Sequence, residues 1–477
     1  MLSSKKTYRK VGILALLKFF ISFVYIVLTN LKEPLIVLAA DSGAEVLPVL
    51  KGYLVFPASI LFVLLFNWLN NYYKPTKIFF YFIIFFLCFF LFYIFILSPN
   101  AELLSPSKHA TSLLNIYPSQ KHWIAVYRHW VHALAFIFIE LYGQVTIFMI
   151  FWGITNDLCS NDQARNFYHL IIAVGCLGGI VGTEVNIFLL KHSTEATYKS
   201  QAVFYLFWVA IVGILLVLCT YTYIYWKYYS HGESSSIKKR TKKQSTSLMT
   251  SLRYIFSNYH LLAIAVMVIA CGLTINLVDV TYKANLKNLY NSKIAYQIFT
   301  ARTTELGSFL AAFLSLFVSG RLMRSLGWKI SSYIAPVVVT TTGIIFFVSS
   351  KFRLSLSFLD NYDINPLVFV VYMGVAQTLI SKLAKYAFFD ASKEIAYLGL
   401  EPDVRLKGKG AVDMVGSRAG KSFSGHVHTF LLWIAGTSSV LDLTHILIIV
   451  LIVIGLAWCW AVAYLGKSID KHKIEKS

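Results

Sequence analysis

The chain has 477 residues, 57% of them hydrophobic and 16% aromatic, with only 14% charged and a mean hydropathy of +0.65. Soluble domains run at about 45–50% apolar and about 25% charged, so disordered, collagen-like and small disulfide-stapled classes are excluded and a polytopic membrane protein is indicated. Lys and Arg number 43 against 22 Asp and Glu, a formal charge of +21 that needs placing in a chain built for lipid.

A helix needs about 20 apolar residues to cross a bilayer. In chain order, apolar stretches fall at 11–31, 52–73, 78–101, 129–156, 166–183 and 200–226, then at 254–278, 306–320, 330–350, 364–381, 422–441 and 443–466. They predict an all-α membrane protein of twelve transmembrane helices. The aromatic run 79–95 lacks the period-2 alternation of a barrel strand and reads as helix. Residues 227–253 hold Lys227, Lys238, Lys239, Arg240, Lys242, Lys243 and Arg253 among Ser and Thr. This basic stretch is read as a cytoplasmic linker between an N-terminal six-helix half (1–226) and a C-terminal six-helix half (254–477); it is too short for nucleic-acid binding to be expected.

Positive charge favours the cytoplasmic side of spans. Lys5, Lys6, Arg9 and Lys10 precede the first helix, and Lys467, Lys471, Lys473 and Lys476 follow the last. Lys74 and Lys77, then Arg321, Arg324 and Lys329, then Arg405, Lys407 and Lys409 mark loops on the same side. The opposite loops carry Glu102, Asp360 and Asp363. Both termini are therefore expected in the cytoplasm, and no cleavable signal peptide is expected from the opening MLSSKKTYRK. Cys88, Cys159, Cys176, Cys219, Cys271 and Cys459 form no CxxC pair and read as small hydrophobes.

Other charges interrupt or border the spans: Lys18, Lys32, Glu33, Glu140, Glu184, Asp279, Lys283, Arg302, Glu305, Lys382, Lys385, Asp413, Arg418 and Lys421. A charge at the bilayer centre costs at least about 2.5–3.5 kcal/mol, so these need pairing or a polar cavity. Spans 3, 6, 9 and 12 lack such charges, which makes them scaffold around a cavity lined by the rest. Lys382 with Lys385, and Arg418 with Lys421, are three apart and share a helical face. Two cationic pairs suggest a polyanionic substrate, with Glu140, Asp279 and Asp413 as counter-charges in its absence. Arg302–Glu305 reads equally as a structural ion pair, and Lys18 is expected to snorkel to the interface.

Gly416 to Ser422 resembles a phosphate loop but has three residues between its glycines where four are needed. His426 and His428 diverge on a helix, and His129 with His132 lack further ligands nearby, so no metal or cofactor is expected. No enzyme site is evident. A membrane enzyme acting on phosphorylated lipid precursors would show a DDxxD-type cluster, and none is present.

The segments Lys32-Glu33-Pro34-Leu35-Ile36-Val37 and Ser42-Gly43-Ala44-Glu45-Val46-Leu47-Pro48, with Lys51, carry a resemblance that continues through Glu140-Leu141-Tyr142-Gly143, Phe151-Trp152-Gly153, Asn276 to Lys283, Lys393 to Tyr397, Lys407 to Asp413 and Gly420-Lys421-Ser422. In order and over nearly the whole chain, these are similar to the nucleotide transporter (ATP/ADP translocase) family of intracellular bacteria and plastids. The resemblance implies a fold similar to the major facilitator superfamily and, most directly, ATP/ADP antiport across a bacterial inner membrane. NAD/ADP antiport and nucleotide/proton symport are the alternatives within the family. Its critical charges match Lys32, Glu140, Asp279 and Lys421; Asp279 stands where Glu is usual, and Asp41 adds a carboxylate. Substrate contacts are accordingly expected at Lys32, Glu140, Asp279, Lys382, Lys385, Arg418 and Lys421, with Tyr25, Tyr142 and Asn156 as candidates for the base. The expected partners are ATP, ADP, phosphate or NAD and the lipid bilayer, with the monomer as the unit.

Overall fold

The computed structural model describes residues 2–159, 161–229, 258–317, 319–353, 363–398, 412 and 417–474. Among these residues a long helix stands at each of the twelve expected positions, and there is no strand. The first six are α1 (Leu2–Val37), α2 (Val46–Tyr72), α3 (Thr76–Leu97), α4 (Trp130–Thr155), α5 (Asn161–Lys191) and α6 (Gln201–Tyr229). The second six are α7 (Tyr259–Leu289), α8 (Lys293–Phe317), α9 (Gly327–Lys351), α10 (Pro366–Tyr397), α11 (Ser417–Ala435) and α12 (Thr444–Ile474). Ten are long and apolar enough to cross a membrane; α8 and α11 are the polar exceptions, with Arg302 and Glu305 on one and Lys421, His426 and His428 on the other. The expected linker lies outside the described residues from 230 onward, as does Asp413.

Proline shapes the helices nearest the centre. Pro34 sits inside α1, which ends three residues later, and the chain turns through Asp41 at φ 54°, a left-handed conformation that Asp tolerates. Pro57 has no N–H for the Tyr53 carbonyl, and α2 winds as a π-helix over Leu50–Val55 just before it. Similar π-helical turns occupy Gln144–Phe151 of α4 and Lys385–Phe389 of α10. Such turns re-aim side chains and are frequent at functional sites.

Glycines let helices approach backbone to backbone, the favoured packing where apolar burial gives no advantage over lipid. A Cβ at Gly178 of α5 would lie 2.3 Å from the Phe19 carbonyl oxygen of α1, and one at Gly182 would lie 2.9 Å from that of Phe23. In the second half, a Cβ at Gly420 of α11 would lie 3.0 Å from the Gly272 Cα of α7. Each half has its own core: Leu17, Phe86, Tyr142 and Phe207 belong to the first, and Ile264, Val339 and Trp458 to the second. A third core joins them, where Ile36, Val46, Leu50 and Phe136 pack with Leu277, Phe346, Val370 and Leu447.

All of that third core lies toward the end of the bundle away from the termini. Polar contacts reinforce it there: the Tyr198 hydroxyl donates to Gln297 Oε1 at 2.7 Å, Ser292 Oγ donates to Glu195 at 2.5 Å, and the Lys287 ammonium donates to the Ser42 carbonyl. Lower down, α2 and α11 cross on two glycines. A Cβ at Gly425 would lie 3.1 Å from Gly52 Cα and 2.4 Å from the Pro48 carbonyl oxygen, and Ser422 Oγ donates to the Gly52 carbonyl at 3.2 Å.

One substitution at two glycines separates close packing from open space. Gly178→Ala should destabilise the protein by about 1–3 kcal/mol through overpacking. Gly12→Ala, with nothing within 4 Å of its Cβ, should be neutral or stabilising. Melting temperatures of the detergent-solubilised variants check both.

Candidate functional site

The charges that border the spans converge where α1, α2, α4, α7 and α11 meet. Lys32 is 4% exposed; its ammonium binds Glu140 of α4 and lies 5.3 Å above the Phe136 ring. This pair stays within the first half. One residue on, Glu33 faces the second half and joins a circuit of alternating charge. Lys283 Nζ is 2.7 Å from Glu33 and 2.7 Å from Asp279, while Lys51 Nζ is 3.3 Å from Asp279 and 3.8 Å from Glu33. Asp279 and Lys283 are one turn apart on α7, so the helix itself sets that contact. Each member thus has two opposite charges, which offsets the cost of burying it.

Beside this circuit is a cleft of about 60 Å³ lined by Lys51, Val55, Phe56, Ser59, Glu140, Gln144 and Lys421. It has room for a few water molecules and is far below the about 300–1,000 Å³ of small-molecule pockets. The backbone contacts of α11 position Lys421: Gly420 rests on Gly272 of α7, and Gly425 rests on Gly52 of α2. Among the described residues Lys421 has no carboxylate within ion-pair distance and is open to solvent. Carboxylate and ammonium groups here can exchange partners with an anionic ligand; none is arranged as a nucleophile with a base.

Of the residues expected from sequence, Lys32, Glu140, Asp279 and Lys421 come together at this centre. Lys382 is half-buried and reaches toward α8, where a Cβ on Gly307 would lie 3.0 Å from its Nζ. Lys385 is half-buried with its ammonium 5.3 Å above the Tyr386 ring. The side chains of Arg418 and Asn156 lie outside the described residues. Asp279 holds Lys51 and Lys283 where cations of α10 and α11 were expected. Glu33, Lys51, Lys283 and Gln144 were missed as site residues. Glu33 and Lys283 carried a signal, being charges at span ends beside Lys32 and one turn from Asp279.

Other expectations resolve differently. Lys18 does not snorkel: it is 8% exposed and lies 5.0 Å above the Phe151 ring, in space that Gly175 leaves open. Tyr142 is packed edge-on against Phe86 at 5.4 Å inside the first core, and the Tyr25 ring covers Gly143. Arg302 binds Glu305 and also Glu184 across the halves, as a structural pair between helices would. His132 Nδ1 is 3.0 Å from the Tyr93 hydroxyl and His129 Nε2 is 2.8 Å from the Ala40 carbonyl oxygen, so both histidines serve the packing of the first half.

A family model described as TLC ATP/ADP transporter matches residues 4–469. The chain is 31% identical to ADP,ATP carrier protein 1 of Chlamydia trachomatis over 96% of its length and 88% of the relative's. It is 29% identical to ADP,ATP carrier protein 3 of Rickettsia bellii, covering 95% and 93%. Among solved structures, a bacterial homologue of the iron transporter ferroportin in its inward-facing state superposes with a TM-score of 0.62 at 13% identity, covering 97% and 98%. A point mutant of the nucleoside transporter NupG gives 0.59 at 13% identity, covering 95% and 99%. These two share the fold, that of major-facilitator-like transporters.

Removing one member of the charge circuit should be costly and removing an opposed pair less so. Lys283→Met should destabilise by about 3–5 kcal/mol, because two carboxylates are left sharing one ammonium. Adding Asp279→Asn should restore more than half of the loss, since Glu33 and Lys51 remain paired. Thermal unfolding of the single and double variants in detergent measures the difference.

Proposed function

The chain belongs to the TLC ATP/ADP transporter family, and we propose that it exchanges ATP for ADP across a bacterial inner membrane by alternating access. The observation that carries this reading is the cleft between the halves, where Lys51 and Lys421 face an interior shared with the Lys32–Glu140 pair. Compact ammonium groups suit phosphates as point charges. With both termini cytoplasmic, as the loop charges suggest, the sealed end faces outward and the cleft belongs to an inward-facing form. No chemical step on the nucleotide is involved. The cleft is built within a single chain, so the proposed unit is the monomer.

In this mechanism the two six-helix halves, 1–226 and 254–477, rock about the linker 227–253. A nucleotide entering from the cytoplasm needs more room than the cleft offers, so the parting of α11 from α2 and α4 admits it. Its phosphates are bound by Lys421, Lys51 and Lys32, with Lys382, Lys385 and Arg418 as further cations. Lys51 then leaves Asp279, and Glu140 loses its hold on Lys32. The cross-links that pin the outer end are weakened by the ligand's charge, and the bundle turns over. An empty site reforms the circuit and stays shut, which makes the transport an exchange. Both Glu140 and Asp279 already hold lysines, which favours this over a proton symport carried by either carboxylate. Phosphate or NAD would meet the same cations.

Proteoliposomes containing the protein should take up radiolabelled ATP only when loaded with ADP. Lys421→Glu should lower that uptake at least about tenfold, the scale of one lost charge-assisted contact, with little change in melting temperature because Lys421 has no ion-pair partner among the described residues. Full uptake by this variant would overturn the proposed site.

A further inference from the structure

We propose that Gln144 reads the six-position of the purine and that Ser59 is the positioning residue that fixes which way its amide faces. This rests on the nucleotide-exchange reading above. The cleft has two chemically distinct ends. Lys51, Glu140 and Lys421 make one end ionic, while Phe56, Val55, Ser59 and Gln144 make the other apolar with one amide. Gln144 follows Glu140 by four residues and so stands one turn along the same face of α4. Once α11 has parted from α2 and α4, a nucleotide with its phosphates at the ammonium groups lays its base toward Phe56, within reach of Gln144.

Ser59 sets the polarity of that amide. The residue is 1% exposed, and its Oγ lies 2.7 Å from the Val55 carbonyl oxygen and 2.7 Å from Gln144 Oε1. A hydroxyl has one proton and cannot serve two acceptors. A serine on a helix gives its proton to the carbonyl four residues back, here Val55. A half-turn about the terminal bond of Gln144 then makes its N–H the donor to Ser59 Oγ. That leaves Oε1 and the second amide N–H directed to the cleft. An acceptor beside a donor matches adenine, whose 6-amino group donates and whose neighbouring ring nitrogen accepts. A 6-oxo purine presents the reverse pattern and sets two carbonyl oxygens against each other. Both residues belong to the first half, on α2 and α4, so the pair stays together when α11 moves away.

The full chain in ADP-loaded proteoliposomes tests this by competition of unlabelled ATP or inosine triphosphate against labelled ATP. Inosine triphosphate differs from ATP at the six-position and should compete at least about tenfold more weakly, as one lost bidentate contact implies. Ser59→Ala releases the amide and should cut that discrimination at least about fivefold, whatever the absolute rate, while Ser59→Thr keeps the hydroxyl and should preserve it. Gln144→Leu should bring the two competitors to near equality. Equal competition on the unaltered chain, or unchanged discrimination in Ser59→Ala or Gln144→Leu, overturns the proposal. A chain that takes up no nucleotide at all overturns the exchange reading itself.

Discussion

Glu33 and Lys51 from the first half and Asp279 and Lys283 from the second bind one another in a closed circuit that spans the seam of the bundle. Each charge would cost several kcal/mol if buried alone, and a circuit of four neutralises all of them without a bound ion. The pairing also runs within each half, Glu33 with Lys51 and Asp279 with Lys283. Parting the halves therefore breaks the two cross-contacts but leaves each side electrically neutral.

Around this circuit the rest of the architecture falls into order. The shared apolar core and the Tyr198–Gln297 and Glu195–Ser292 contacts shut the end away from the termini, while separate cores keep each half intact. Lys51 belongs both to the circuit and to the cleft, so one side chain borders the charged seam and the cavity beside it. The π-helical winding of Leu50–Val55, placed just before Pro57, lies where that lysine turns inward.

The twelve helices were legible because hydropathy and length survive without knowledge of neighbours. The polar α8 and α11 were also found, since short apolar runs remained between their charges. Lys32, Glu140, Asp279 and Lys421 stood out as charges bordering or interrupting spans. Their partners were harder. Lys283 to Asp279 is a one-turn spacing that a helix dictates, whereas Lys51 to Asp279 joins residues 228 positions apart and depends on how the halves dock. Lys18 misled because snorkelling is the usual fate of a lysine within an apolar span, and only the packing of Gly175 shows the space that holds it inside. Gln144 carried no signal at all, being an uncharged residue whose proposed role follows from the Ser59 hydroxyl across from it.

The crossing of α2 and α11 on Gly52 and Gly425 has a mechanical meaning. The two backbones meet at these glycines, flanked by the Ser422–Gly52 and Tyr53–Thr429 hydrogen bonds, and a tilt of one helix against the other pivots there, so the crossing is a fulcrum. Gly52 lies about 9 Å along α2 from Val46 and about 30 Å from Tyr72 at 1.5 Å per residue. A tilt about that point moves the Tyr72 end roughly three times as far as the Val46 end. The two mouths of the protein are therefore geared unequally: a narrow gap on one side corresponds to a wide one on the other.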